Sequence, residues 1–168
     1  MPAAQPSSAA SPDLREIAAM LALGGENGAC VMQEEHLEAL YALGRRLLAT
    51  GEFMDAVTVF IRLCLHEHGS RRFWMGLGSS LQEAGNLEKA IDAYGMAGLC
   101  GALDDPEPFY HIALCHLELK RNETAIQLLD AIARIDENNG ATHASLRENI
   151  AGLRKSLVMG VDENVSLE

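Results

Sequence analysis

The chain has 168 residues, 48% of them hydrophobic and 5% aromatic, which is enough apolar content for one domain with a real core and too few aromatics to favour a sheet. Its 13 Lys and Arg against 24 Asp and Glu give a formal net charge of -11, which argues against nucleic acid or an anionic membrane as a direct partner. No basic residue precedes an apolar run at the N-terminus and no apolar stretch is long enough to insert into a membrane, so the chain reads as cytoplasmic.

Residues 1–10 are Ala, Ser, Pro and Gln after Met1 and are expected to be disordered. Residues 11–33 are expected to form an N-terminal helix and linker. Ser11, Pro12 and Asp13 supply an N-cap, a proline at the first helical position and an early acid. The helix carries Leu14, Ile17, Ala18 and Leu21 at i, i+3, i+4 and i+7 and stops at Gly24-Gly25. That stripe needs a partner, either a second copy across a two-fold axis or the next helix, where it would shield Leu37 and Leu40.

From there the chain repeats. Leu40, Leu43, Gly44, Gly51, Ala56 and Phe60 recur 34 residues later as Trp74, Leu77, Gly78, Gly85, Ala90 and Tyr94. With one extra residue they recur again as Phe109, Ile112, Ala113, Lys120, Ala125 and Leu129. This is the tetratricopeptide pattern: a small residue in the first helix of each pair lets the second cross closely, and a bulky residue fills the space between them. The predicted fold is all-α, a solenoid of three repeats over 34–139, at about 37–70, 71–104 and 106–139. Residues 140–159, with Leu146, Ile150, Leu153 and Leu157 on one face, predict a capping helix, and 160–168 a flexible tail.

Little in the chain suggests chemistry. Cys30, Cys64, Cys100 and Cys115 are scattered and read as reduced, packed thiols. Cys64, His66 and His68 cannot all face one ion from a helix, and His111 with Cys115 supplies too few ligands, so no metal or cofactor is expected. There is no phosphate loop, nucleophile elbow or His-Glu-x-x-His pair, and no catalytic residue is assigned.

The string from Leu37 to Leu43, then Phe60-Ile61-Arg62-Leu63-Cys64, and Ser70-Arg71-Arg72-Phe73-Trp74-Met75-Gly76-Leu77-Gly78 resembles the class II chaperones of bacterial type III secretion. The likeness continues through Gln82, Gly85, Ala90-Ile91, Tyr94, Asp105-Pro106, His111, Ala113, Cys115 and Leu117. It implies a cytoplasmic protein that holds an extended N-terminal segment of hydrophobic translocator proteins in a concave groove and keeps them unassembled before export. It also implies a homodimer formed through Leu14, Ile17, Ala18 and Leu21. A regulatory role, binding a transcription activator, and a generic adaptor role in a folded complex remain open at this point. In such repeats the first helix of each pair lines the groove, beside the packing stripe. The repeat register thus selects Tyr41, Arg45 and Leu48; Met75, Ser79 and Gln82; and Tyr110, Leu114 and Leu117. The apolar members would form pockets, and Arg45, Ser79 and Gln82 would bond a client backbone. Arg45 and Leu48 depart from the larger apolar or aromatic groups the family often carries there.

Overall fold

The computed structural model describes residues 33–101, 105–138, 146 and 148–155. It contains α1 (Glu34–Thr50), α2 (Phe53–His66), α3 (Arg71–Glu83), α4 (Leu87–Cys100), α5 (Glu107–Glu118) and α6 (Asn122–Asn138), with further helical residues at 148–155. Among the described residues there is no strand. Each helix packs on its neighbours in sequence, and α1 also touches α3, so α1, α3 and α5 are the first helices of three stacked pairs. The N-terminal stripe of Leu14, Ile17, Ala18 and Leu21 lies outside the described residues, as do Leu157 and the tail.

The turn inside each pair is the same device three times. After α1, the Gly51 amide donates to Leu48 O (3.3 Å) and the Glu52 amide to Leu47 O (2.9 Å). After α3, the Gly85 amide donates to Gln82 O and the Asn86 amide to Leu81 O, and after α5 the Lys120 amide donates to Leu117 O and the Arg121 amide to His116 O. These are Schellman closures, which satisfy the last carbonyls of a helix when the residue beyond it adopts a left-handed conformation. Gly51 (φ 85°) and Gly85 (φ 76°) do so freely, but the third repeat has Lys120 at φ 62°. A side chain in that region costs energy that glycine avoids, partly offset by glycine's greater freedom when unfolded. Lys120→Gly is expected to stabilise the fold by about 0.5–1 kcal/mol, read as a higher urea midpoint at unchanged slope.

Aromatic wedges set the spacing between pairs. Phe60 on α2 is fully buried against the glycines of two first helices: a Cβ added at Gly44 would lie 2.9 Å from its ring, and one added at Gly76 would lie 2.2 Å away. Tyr94 on α4 does the same at Gly78, where an added Cβ would sit 2.6 Å from the ring. Trp74, also read as a packing residue, is half-buried, and its Nε1 donates to His68 O at 2.7 Å, pinning the turn between the first and second pairs. Buried Ser80, the polar exception in α3, donates back to Gly76 O at 2.8 Å.

A main core cluster runs from Leu37 to Tyr94 and takes in Cys115. Leu37 and Leu40 belong to it. A second cluster joins Ala113, Leu129, Ile132 and Ile150, with Leu146 and Leu153 packed against it, so the residues at 148–155 close the far end of the stack. Arg154 there pairs with Asp130 on α6 at 2.5 Å.

Candidate groove on the first helices

α1, α3 and α5 share one face, and their side chains meet across it. Arg72 on α3 reaches Glu38 on α1, Gln82 Nε2 on α3 donates to Glu118 Oε1 on α5 at 2.8 Å, and Arg71 on α3 bonds Glu107 on α5 at 2.6 Å. Arg71 also pairs with Asp105 at 2.5 Å, so the segment before α5 is tied to the start of α3. Asp105 Oδ1 further accepts the Glu107 amide at 3.0 Å, capping α5. These polar ties are exposed or half-exposed and are more a means of alignment than a large source of stability.

Of the nine residues selected from the register, Arg45 is exposed and the other eight are half-buried, as expected for side chains at the edge of a core that also face out. They divide by what they touch. Tyr41 is part of the packing: its ring meets Phe60 edge-on at 6.0 Å and Phe73 at 5.8 Å. The Arg72 guanidinium lies 5.1 Å over the Tyr41 ring and 4.8 Å over Phe73, so a cation roofs this part of the surface. Leu48 and Met75 pack against the main core and Tyr110 against the second, whereas Leu114 and Leu117 belong to neither cluster's buried set. Ser79 and Gln82 are occupied within the protein. Tyr94 Oη donates to Gln82 Oε1 at 3.0 Å and approaches Ser79 Oγ at 3.3 Å, while the amide nitrogen of Gln82 holds Glu118. A client backbone would have to compete for Gln82, and no pattern in the sequence named Glu118 or Tyr94 as its partners.

His111 was legible only as a possible ligand and is a packing residue here. It stands where the second repeat has Gly76; instead of admitting a ring edge, it stacks on Tyr94 at 4.9 Å and 17°, with Tyr110 edge-on at 5.9 Å. Burial holds its pKa below 6.5, opposed by the Glu107 carboxylate. The unfolded chain therefore takes up this proton first, so stability contributed by neutral His111 is present above about pH 6.5 and falls as the pH drops toward its lower folded value. His111→Phe, which keeps the stack, should flatten the loss of urea midpoint between about pH 7.5 and about pH 5.5.

Cys64 and Cys115 are inert by the same logic. Burial pushes Cys64 up to about 12 and Cys115 up to about 11, far from a reactive thiolate. No group of three metal-ligating side chains exists among the described residues. Nor does any described helix have the length and apolarity to cross a membrane.

The tetratricopeptide repeat family matches residues 41–99. Low calcium response locus protein H of Yersinia pestis is 33% identical over 87 residues, 52% of this chain and 51% of that protein, so the match takes in about half of the relative's length. PcrH of Pseudomonas aeruginosa, solved with the chaperone binding region of PopD, superposes with a TM-score of 0.69 at 27% identity, covering 76% of this chain and 95% of that one. In sequence and in fold the chain resembles the class II translocator chaperones of type III secretion. The translocator chaperone SycD of Yersinia enterocolitica, solved with a peptide of YopD, superposes with a TM-score of 0.68 at 25% identity, over 76% of this chain and 96% of that one. The stacked helix pairs of this chain thus follow the fold of these solved structures.

Proposed function

We propose that the chain is a cytoplasmic chaperone of a bacterial type III secretion system, which holds an extended N-terminal segment of a hydrophobic translocator on the face of α1, α3 and α5. The observation that carries the reading is the row of half-buried apolar side chains along the first helices, from Leu48 through Met75 to Leu114 and Leu117, in a fold that in PcrH and SycD accompanies bound translocator segments. An extended segment loses much freedom on ordering, so a few pockets on a rigid stack must supply its specificity. Binding only the unassembled client draws it away from aggregation and premature insertion by mass action, with no catalytic step.

Co-expression tests this directly. A translocator that is insoluble alone is expected to stay soluble with this chain and to co-purify through its N-terminal segment. A DNA-binding activator as the bound protein would point to the regulatory role, and a stably folded partner to the adaptor role.

A further inference from the structure

The face opposite the groove is not the polar surface expected of an outer helix row. On α2, Met54 (60% exposed), Ile61 (43%) and Leu65 (61%) lie away from the buried Ala56, Phe60 and Leu63. On α4, Met96 (38%) and Leu99 (70%) are also exposed. Leu99 follows Leu65 by 34 residues and occupies the same place in the next repeat, while Gly95 replaces Ile61 and has nothing within 4 Å of where a Cβ would lie. The end of α4 is tied to the turn that follows α2, since Cys100 Sγ donates to His68 O at 3.1 Å. Ile61, Leu65, Met96 and Leu99 thus border an apolar trough with a notch at Gly95. Single exposed apolar residues are ordinary, but this grouping at equivalent repeat positions is of the kind that marks a contact surface.

We propose that this outer trough is the docking site of the chain's own N-terminal segment, residues 14–21, in cis. The position of the chain's first described residue argues for it. α1 runs antiparallel to α2, so Gln33 lies at the same end of the stack as Leu65 and Leu99, each one residue from the last of its helix. Residues 24–32 can span up to about 30 Å when extended, against roughly 10 Å from one packed helix axis to the next. Leu14, Ile17, Ala18 and Leu21 have the helical spacing that fills a trough between two helices, and the stripe they predict is roughly 10 Å long, two turns of helix. The tether makes the encounter intramolecular, so a patch too small to hold a free partner is sufficient.

Hydrogen exchange of the full chain, followed through residues 12–23, tests the proposal without the client. Native protein is expected to protect this segment at dilute concentration. Leu65→Glu with Leu99→Glu should speed its exchange roughly tenfold, as should Ile17→Glu with Leu21→Glu, and combining all four should add nothing further. Gly95→Arg, which blocks the notch without touching the core, should act in the same direction and guards against a double variant that misfolds. Unchanged exchange in the Leu65 and Leu99 variant overturns the proposal. So does protection that rises with protein concentration, which would assign the trough to a second copy, or protection seen only after a translocator segment is added.

Discussion

Replacing Gly76 with alanine is expected to destabilise the protein by about 1–3 kcal/mol, and Gly78→Leu by at least that much. A Cβ at Gly76 would lie 2.2 Å from the Phe60 ring and one at Gly78 2.6 Å from the Tyr94 ring, distances that force a ring to move. Both rings are fully buried, Phe60 at 0% and Tyr94 at 1% exposure, so neither can swing into solvent and the strain passes into the helix spacing. Gly76→Ala tested alone and with Phe60→Leu should show coupling, the smaller residue at 60 recovering part of the loss. Gly95→Ala is the control. It sits within α4 with nothing within 4 Å, and there alanine should raise stability by about 0.5–1 kcal/mol through helix propensity. Urea midpoints of the four variants separate overpacking from a general effect of losing glycine.

The same residues show what a sequence reveals and what it hides. The recurrence of Gly44, Gly78 and Ala113 opposite Phe60, Tyr94 and Leu129 located all three helix pairs, because close crossing leaves a steric mark at a fixed period. The second glycine in contact with Phe60, Gly76, has no such mark: its counterparts are Ala42 and His111, and only the structure shows that position to be the seat of the preceding pair's wedge. The register named residues that are half-buried or exposed on the first helices, but it did not name what they touch. Tyr41 was read as a recognition residue and also supports Phe60 and Phe73, while Gln82 is held by Tyr94 and Glu118. A helical period fixes which way a side chain leaves its own helix, whereas its contacts depend on what neighbouring repeats carry at unrelated positions. The left-handed Lys120 is an intermediate case, signalled by its alignment with two turn glycines even though lysine disfavours that conformation.

This division decides which variants test recognition cleanly. Tyr41→Ala would remove an aromatic from the packing of Phe60 and Phe73, and a charge at Met75 would face the main core, so both mix binding with stability. Leu114 and Leu117 are half-buried on α5 and outside the buried clusters. Leu114→Glu with Leu117→Glu is therefore expected to leave the thermal midpoint within a few degrees of the parent. It should weaken binding of a translocator N-terminal segment by about thirtyfold, the loss of a central apolar anchor pair of roughly 2 kcal/mol. Anisotropy titration of a labelled segment, run beside melting curves, reads both quantities. Undiminished affinity in a folded double variant would place the client away from α5, whereas a parallel fall in midpoint and affinity would assign Leu114 and Leu117 to packing. The added charges should also make the residual binding more sensitive to salt, because a glutamate at the pocket adds to a surface whose net charge is already -11.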